Sequence, residues 1–399
     1  MKARVLIIGG GFAGLRATRL LRKKWRKIDV TLVTDSTTFR YCPALYRSAT
    51  GFRMRESVIP ISQITRNYLN LNLVHQKVKF IDRAKKTVTL ADGKELEYDY
   101  IIIAVGVVTS YFNIPGLEEN SFSIKSPEGL QKLKTHLHKT LNDTGAPDTN
   151  YVVVGGGPTG VELSAALGTY LRDICKKHKT KKHAIHLELV EGAPRVLPVL
   201  NEKASKLTAK HLRKLGVKLI LGDTVKGETS DSLTLADRTI PSHTVIWTAG
   251  VTNNPFFKEN SSQFELNERG KVVVNEHLQV DDHTFVIGDN AATSYSGLAQ
   301  TAVRDANYTA KSISLLIKNK NLKTYHQKKP ISIVPAGKRW SVLQYNNFVI
   351  GGYIPNILRE LADLIGYSDI MGVKQAFSVW LRRNTSEETC KKCSLNLKY

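Results

Sequence analysis

Two glycine-rich turns are the parts of this chain best suited to chemistry. One lies in RVLIIGGGFAGLRATRLL at the N-terminus, and the other lies in YVVVGGGPTGVELSAALG near the middle. In both segments an apolar strand precedes the turn and an amphipathic helix follows it. Such glycines let the backbone approach a pyrophosphate, and the free N–H groups and dipole of the helix N-terminus hold the anion. The pattern predicts two dinucleotide sites, built on Gly9, Gly11 and Gly14 and on Gly155, Gly157 and Gly160.

An acidic residue closes the strand that follows each turn. Asp35 ends DVTLVTD and Glu191 ends HLELVE. Carboxylates at these positions accept hydrogen bonds from ribose hydroxyls. For either motif alone, a glycine turn in some other α/β domain is the alternative. Two dinucleotide sites on one chain are explained when one holds a flavin and the other a nicotinamide, because a hydride can then pass between them.

The composition is that of a soluble protein with an unusual positive charge. The chain has 399 residues, a formal net charge of +23 and four scattered cysteines. No apolar run reaches the ~18 residues of a spanning helix, and the first strand starts too early for a signal peptide. We therefore expect a cytoplasmic protein without a disulfide framework. Basic clusters at 22–27 and 176–182 suit an anionic membrane surface or a merely solvated one, and no nucleic-acid motif accompanies them.

The order of strands and helices indicates an α/β protein with one dinucleotide-binding unit inserted into another. Residues 57–68 are expected to form a polar helix, and residues 297–318 a longer one. Two strands are expected after Pro330. We expect a discontinuous Rossmann-like first domain over 1–116 and 250–330, a second over 117–249, and a C-terminal segment with amphipathic helices over 331–399.

Several stretches, taken in order, resemble one family. GGGFAG, CPALYRSATG, YDYIIIAVG, GGGPTGVELSAAL, VIWTAGV, FVIGDNAA and AQTAVRDANYTAKSI follow one another over most of the chain. The set resembles the pyridine-nucleotide disulfide reductase superfamily and, within it, the type II NADH dehydrogenases, which are single-subunit NADH:quinone oxidoreductases. The resemblance implies non-covalent FAD in the first domain and NADH as co-substrate in the second. It also implies reduction of a membrane quinone without proton pumping.

The resemblance assigns roles to single residues around the cofactors. Asp289 would bind the ribityl chain of FAD and Asp35 its ribose, although the family usually has an acid where this chain has Thr34. Glu191 would accept from both ribose hydroxyls of NADH and repel the extra phosphate of NADPH, while Arg195 is close enough in sequence to oppose this repulsion. Two further glycines are implied: Gly106, at a turn where the backbone passes FAD, and Gly250, in the WTAG segment that lines the nucleotide passage.

Two residues are implied at the reaction site itself. Glu162, in Gly-Val-Glu, would lie near the junction of nicotinamide and flavin and help to relay protons; stabilisation of the helix start by its charge is the alternative. Gln300 would lie beside the flavin ring in the quinone pocket. Arg304 departs from the family pattern, and it could bind a quinone oxygen, pair with Asp305 or close the pocket to a bulky tail.

The cysteines leave the electron acceptor open. Cys42 has no partner at C-x-x-C or C-x4-C spacing, and Cys390 with Cys393 forms C-x-x-C only in a basic tail. With no thiol relay and no metal site expected, the interpretation is direct reduction of a small acceptor, with quinone favoured. The alternatives are a soluble NADH diaphorase, a ferredoxin-type reductase, a sulfide:quinone reductase, or a flavoprotein kept for partner binding with negligible turnover.

The C-terminal segment carries two apolar helical faces, separated by a helix break expected at Gly366. Apolar faces with Trp, flanked by cations and too short to span a bilayer, are typical of helices lying in a membrane interface. We therefore expect a peripheral protein on the inner face of the cell membrane; packing on the flavin domain or pairing in a homodimer is the alternative. The faces comprise Ile357, Leu358, Leu361, Leu364 and Ile365, then Ile370, Val373, Phe377, Trp380 and Leu381, with Arg382 and Arg383 at the end.

Overall fold

The computed structural model describes residues 2–24, 26–142, 150–178, 185–383 and 385 of the chain. Cys390, Cys393 and parts of both basic clusters lie outside these residues, so the statements about them stay predictions. No helix in the described part of the chain is both long enough and apolar enough to cross a membrane.

The first part of the chain alternates buried strands with short helices. Its first strand is buried at four consecutive residues, Val5 to Ile8, as expected for a parallel strand covered on both faces. The strands are β1 (Ala3–Ile8), β2 (Ile28–Thr34), β3 (Thr38–Arg40), β4 (Val58–Pro60), β5 (Leu71–His75), β6 (Val78–Asp82), β7 (Thr87–Leu90), β8 (Glu95–Glu97), β9 (Tyr100–Ile103) and β10 (Val107–Thr109). The helices are α1 (Phe12–Leu21), α2 (Leu45–Ala49) and α3 (Ile61–Thr65).

The middle of the chain repeats this alternation around the second glycine turn. Its helices are α4 (Leu117–Asn120), α5 (Pro127–Asn142), α6 (Pro158–His178) and α7 (Glu202–Lys214). Its strands are β11 (Asn150–Val154), β12 (His186–Glu191), β13 (Val217–Leu221), β14 (Val225–Glu228), β15 (Ser232–Leu235), β16 (Thr239–Pro241) and β17 (Thr244–Trp247).

The last part of the chain returns to the first sheet and ends in two helices. The strands are β18 (Val251–Asn253), β19 (Gln279–Asp281), β20 (Thr284–Val286), β21 (Ser332–Pro335), β22 (Ser341–Tyr345) and β23 (Phe348–Gly352). The helices are α8 (Pro255–Glu259), α9 (Ala299–Leu316), α10 (Tyr353–Ile370) and α11 (Val373–Leu381).

Two sheets carry the two glycine turns. The first has the strand order β19-β20-β9-β1-β2-β5, and its pairs are parallel except for β19 with β20. The second has the order β13-β12-β11-β17 and is parallel throughout. Each glycine turn follows an interior strand, β1 or β11, at the carboxyl edge where such sheets bind ligands. β10 and β18 pair antiparallel, with Val107 opposite Asn253, where the chain leaves and re-enters the first unit.

Three details of the predicted secondary structure are wrong. Residues 57–68 form β4 and the one-turn helix α3 rather than one polar helix, and three strands rather than two follow Pro330. α10 also continues through Gly366 without a break. A Cβ at Gly366 would lie 2.5 Å from Tyr41 Oη, so this glycine allows close packing on an aromatic ring instead of ending the helix.

α10 and α11 have a buried side and an exposed side. Tyr367, Met371 and Ala376 are buried in the same core cluster as α1 and the first sheet. Ile370, predicted on the outer face, is fully buried in that cluster too, so its placement on the outer face is wrong. Trp380, predicted on the outer face, is only partly exposed, and its Nε1 donates to the Glu360 carbonyl oxygen at 2.7 Å. The exposed apolar residues are Tyr353, Ile354, Ile357, Leu358, Leu361, Ile365, Val373, Phe377 and Leu381, each 42% to 66% exposed.

Candidate active site

In the first glycine turn, two of the three glycines leave no room for a Cβ atom, and the third faces open space. A Cβ at Gly9, whose φ is +111°, would lie 2.2 Å from the Ala104 carbonyl oxygen, and one at Gly14 would lie 1.9 Å from the Gly9 carbonyl oxygen. A Cβ at Gly11 would have no atom within 4 Å. Gly11 is also the N-cap of α1, and no side chain caps that helix end. An open glycine beside a free helix N-terminus is the cradle that a pyrophosphate needs.

In the second turn, too, two glycines have no room for a Cβ atom and the middle one faces open space. A Cβ at Gly155, whose φ is +109°, would lie 2.8 Å from the Ala249 amide nitrogen. A Cβ at Gly160 would lie 1.8 Å from the Gly155 carbonyl oxygen, whereas one at Gly157 would have no atom within 4 Å. The two turns therefore share one geometry, and each fits a dinucleotide.

Glu191 lies against the second turn. Its carboxylate oxygens accept hydrogen bonds from the amides of Gly156 at 2.5 Å and Ala193 at 2.8 Å. The guanidinium of Arg195 donates to two carbonyl oxygens and one hydroxyl of residues 198–205, at 2.6 to 2.7 Å. Arg195 is therefore held by the loop that follows it and by the first turn of α7.

At the first turn, Thr34 takes the place that Glu191 has at the second. A Cβ at Gly10 would lie 2.8 Å from Thr34 Oγ1, just as one at Gly156 would lie 2.9 Å from Glu191 Oε2. Thr34 is buried at the end of β2, and Asp35 is exposed one residue further along. The structure thus brings the hydroxyl of Thr34, and not the carboxylate of Asp35, against the turn.

Gly106 is joined to the Gly-Asp-Asn turn that follows β20. Asn290, which is fully buried, accepts from the Gly106 amide at 2.8 Å and donates back to its carbonyl oxygen at 2.7 Å. Gly106 has a φ of +71°, a conformation that favours glycine. Sequence reasoning missed Asn290, although it directly follows the Gly-Asp pair. The buried amide thus holds the loop at Gly106 and the turn after β20 together.

Asp289 lies in that turn, half-exposed. Its Oδ1 accepts a hydrogen bond from the Gly297 amide at 3.1 Å. Burial raises the pKa of Asp289, while this hydrogen bond and the Lys271 cation oppose the rise. A carboxylate held in this way keeps lone pairs available for the hydroxyl groups of a ligand.

Gln300 and Arg304 lie on the same exposed side of α9, one helical turn apart. Arg304 Nη1 donates to the Lys328 carbonyl oxygen at 2.8 Å. Asp305 faces the opposite way: it is fully buried and accepts from the Gly288 amide at 3.0 Å. The possible pairing of Arg304 with Asp305 is therefore wrong, because successive helix residues point to different sides.

Gly250 bends the chain between β17 and β18. Its φ is +70°, and a Cβ there would lie 2.4 Å from the Ser110 carbonyl oxygen. That oxygen accepts from Trp247 Nε1 at 2.9 Å, and the Gly250 carbonyl oxygen accepts from Lys125 Nζ at 3.1 Å. Gly250 thus lies where the end of β17 meets the chain that follows β10.

Glu162 is buried in the first turn of α6, 8% exposed. Burial raises its pKa to about 8; the Arg359 cation opposes the rise, and the Asp363 carboxylate adds to it. Tyr46 on α2 is within electrostatic reach, since the Glu162 charge raises the pKa of that phenol, after the larger effect of burial. Burial therefore favours the protonated form of the Glu162 carboxyl near neutral pH.

A buried ion pair on α10 lies within electrostatic reach of Glu162. Arg359 Nη1 bonds to Asp363 Oδ1, and both side chains are about one-tenth exposed. Arg359 Nη2 also donates to the Pro43 carbonyl oxygen at 2.9 Å, and Tyr41 Oη donates to Asp363 Oδ1 at 2.9 Å. Sequence reasoning missed this pair; the available signal was an Arg and an Asp four residues apart in the same helix. The pair ties the C-terminal segment to the loop before α2.

Neither a metal centre nor a thiol pair accompanies these groups in the described part of the chain. No cluster of three or more His, Cys, Asp or Glu residues there could hold a metal ion. Cys42, which is exposed, has no disulfide partner among the described residues, and Cys175 is buried.

The chain is similar to known oxidoreductases over nearly its whole length. The family model described as pyridine nucleotide-disulphide oxidoreductase matches residues 3–306. The type II NADH:quinone oxidoreductase Ndh of Mycobacterium tuberculosis is 30% identical over 337 residues, which cover 78% of this chain and 72% of that protein.

Solved structures share the fold at lower identity. NDH2 from Plasmodium falciparum in complex with NADH has a TM-score of 0.85 at 18% identity, covering 96% of this chain and 97% of that one. The sulfide:quinone oxidoreductase from Aquifex aeolicus has a TM-score of 0.77 at 19% identity, covering 98% of both chains.

Proposed function

Because the chain belongs to the pyridine nucleotide-disulphide oxidoreductases and, within them, to the type II NADH:quinone oxidoreductases, we propose that it passes electrons from NADH through FAD to a membrane quinone without pumping protons. The observation that carries this proposal is the pair of equal glycine turns, each open at its central glycine. One turn suits a resident flavin and the other a nicotinamide that comes and goes.

The first turn and its neighbours would hold FAD. Gly11 and the start of α1 would bind the pyrophosphate, and Asp289 would bind the ribityl chain. Thr34, with Asp35 beyond it, would meet the adenosine ribose. When bound, FAD supplies hydride acceptance from NADH and electron delivery to the quinone.

The second turn would hold NADH. Gly157 and the start of α6 would bind its pyrophosphate, and Glu191 would accept from the ribose hydroxyls with lone pairs that its two amide hydrogen bonds leave free. A 2′-phosphate would meet this carboxylate at close range, and Arg195 is engaged elsewhere. NADH should therefore bind better than NADPH.

Glu162 would hold the proton that the quinone half-reaction needs. Reduction of a quinone takes up protons, and a carboxyl with a pKa of about 8 donates efficiently near neutral pH. Gln300 would lie at the quinone and donate a side-chain N–H to its oxygen.

The exposed side of α10 and α11 would rest on the membrane. Two consecutive helices that expose apolar residues on one side, with the exposed Arg382 at the end, suit the interface of an anionic bilayer. Arg383, also predicted there, instead pairs with Glu360 at 2.7 Å. A lipid-soluble quinone also requires its reductase to dock there. The protein would then be peripheral, on the cytoplasmic face of the cell membrane; a homodimer formed through the same side is the alternative outcome of the membrane test.

The test of the proposed function is anaerobic mixing of the purified yellow protein with NADH, followed by a panel of oxidants. The visible absorbance of the flavin should be lost after mixing with NADH and should return when a soluble quinone is added. Recovery only with ferricyanide or a ferredoxin would instead identify a diaphorase or ferredoxin-type reductase. Release of FMN, or no flavin, from the denatured protein would contradict the cofactor assignment.

A further inference from the structure

The segment after α9 runs back along that helix as a strap, residues 319–331, which has no regular secondary structure before β21 apart from a helical turn at its start. Backbone and side-chain hydrogen bonds fasten it at several points. The Tyr325 amide donates to the Glu276 carbonyl oxygen at 2.8 Å, Gln327 Oε1 accepts from the Ser294 amide at 2.9 Å, and the Lys328 carbonyl oxygen accepts from Arg304 at 2.8 Å.

One contact of the strap reaches the interior. Tyr325 Oη donates to Asp305 Oδ1 at 2.6 Å, and Asp305 Oδ2 accepts from the Gly288 amide at 3.0 Å. Asp305 is fully buried. A single buried carboxylate therefore joins the strap to the turn after β20.

The carboxylate depends on these two donors. Burial raises the pKa of Asp305 to about 6, and the hydrogen bonds from Tyr325 and Gly288 oppose that rise. A buried carboxylate deprived of one donor loses much of its stabilisation. Loss of the Tyr325 hydroxyl should therefore loosen the hold on the Gly288 amide.

Under the proposed function, the turn fixed by Asp305 is the one that would face FAD. Gly288 has a φ of +69°, and Asp289 and Asn290 follow it. Asn290 is hydrogen-bonded to Gly106, so a shift of Gly288 would displace both the turn after β20 and the loop at Gly106.

We propose that Tyr325 is a positioning residue for FAD: through Asp305 it fixes the Gly288–Asp289 turn, and the strap thereby sets how tightly the cofactor is held. This inference rests on the proposed function, because it takes FAD as the ligand of that turn.

The test compares two tyrosines of the same neighbourhood in the holoenzyme. Tyr325→Phe removes the hydroxyl and keeps the ring, which packs on Tyr308 with centroids 4.8 Å apart. After dilution, the rate of FAD release is measured from the fluorescence of free FAD. In Tyr325→Phe this rate should be on the order of tenfold higher than in the wild-type protein. Tyr308→Phe is the matched control, because its hydroxyl donates to the Lys323 carbonyl oxygen instead, and FAD release should stay at the wild-type rate.

Asp305→Asn keeps the test decisive if Tyr325→Phe folds poorly. The amide oxygen can still accept from Gly288, but no second oxygen remains to accept from Tyr325. FAD release should therefore be faster than wild type by about threefold. Wild-type release from both variants, or equal acceleration by Tyr308→Phe, would overturn the inference. A purified protein without FAD would refute the proposed function instead, whereas FAD that is present but indifferent to Tyr325 refutes only the role of the strap.

Discussion

Replacing Arg359 by methionine should move the pH dependence of quinone reduction upwards, and replacing Asp363 by asparagine should move it downwards. Glu162 has a pKa of about 8, set mainly by burial, lowered by the Arg359 cation and raised by the Asp363 carboxylate. If protonated Glu162 supplies a proton to the quinone, the rate should fall as the pH rises through about 8 in the wild-type protein.

The size of each shift follows from the buried pair. Removing one nearby charge in such a site changes a pKa by about one pH unit or more, equivalent to about 1.4 kcal/mol between the two protonation states. Arg359→Met removes the cation and leaves a carboxylate, so Glu162 should keep its proton to higher pH. Asp363→Asn leaves the cation alone, so Glu162 should release its proton at lower pH.

The assay isolates the acceptor step. The protein is first reduced with one equivalent of NADH without oxygen and then mixed in a stopped-flow instrument with a water-soluble quinone in buffers of increasing pH. The rate of flavin recovery is plotted against pH for each variant. Glu162→Gln should remove the decline at high pH, and Arg359→Lys should preserve it near its wild-type position.

A structural role alone would not give shifts of opposite sign. Breaking a buried ion pair from one side costs about 3–5 kcal/mol, so both single variants should melt at lower temperature than wild type. The double variant Arg359→Met with Asp363→Asn removes both charges, and its decline should return towards the wild-type pH. Shifts in the same direction, or none, would refute the electrostatic role of the pair.

Other substitutions test the remaining parts of the site. Gly11→Ala has room for its methyl group and should fold but bind little FAD, whereas Gly14→Ala meets the Gly9 carbonyl oxygen and should reduce soluble expression and melting temperature. Glu191→Ser should narrow the preference for NADH over NADPH, measured as the ratio of kcat/KM values; a wild-type preference for NADPH would contradict the assignment. Gln300→Ala should slow flavin recovery by quinone more than flavin bleaching by NADH. Exposed apolar residues on α10 and α11 should hold the protein on anionic liposomes at low salt, so the triple change to Ser at Ile354, Ile365 and Leu381 should reduce sedimentation, with Val199→Ser, also exposed, as the control.

The two glycine turns were predictable because their geometry is local. Strand, turn and helix follow each other within about twenty residues, and three glycines with fixed spacing leave few alternatives. The acid at the end of β2 was less predictable, because the strand ends at Thr34 and the sequence does not say which of two adjacent side chains faces the turn.

Contacts between distant residues could not be predicted from one sequence. Gly366 was predicted to break a helix, yet it packs against Tyr41, more than three hundred positions earlier in the chain. Arg304 and Asp305 are neighbours in sequence, but the helix turns one outward and the other into the core. Arg359 reaches Pro43 and Asp363 reaches Tyr41, so the C-terminal segment is part of the first unit's core as well as a candidate membrane contact.

This dual role changes what a truncation can test. Removing the chain after Pro355 would take away Tyr367, Ile370 and Met371, which are at most 2% exposed. Such a truncation should destabilise the first unit, and point changes on the exposed side are the better probe of membrane binding.

The central claim is tested most directly by following one flavin through both half-reactions. NADH added without oxygen should bleach the visible flavin absorbance in a single turnover, and a soluble quinone should restore it at a rate that accounts for steady-state turnover. Persistence of the flavin colour in excess NADH would contradict the claim, and so would a bleached flavin that recovers with other oxidants but not with any quinone.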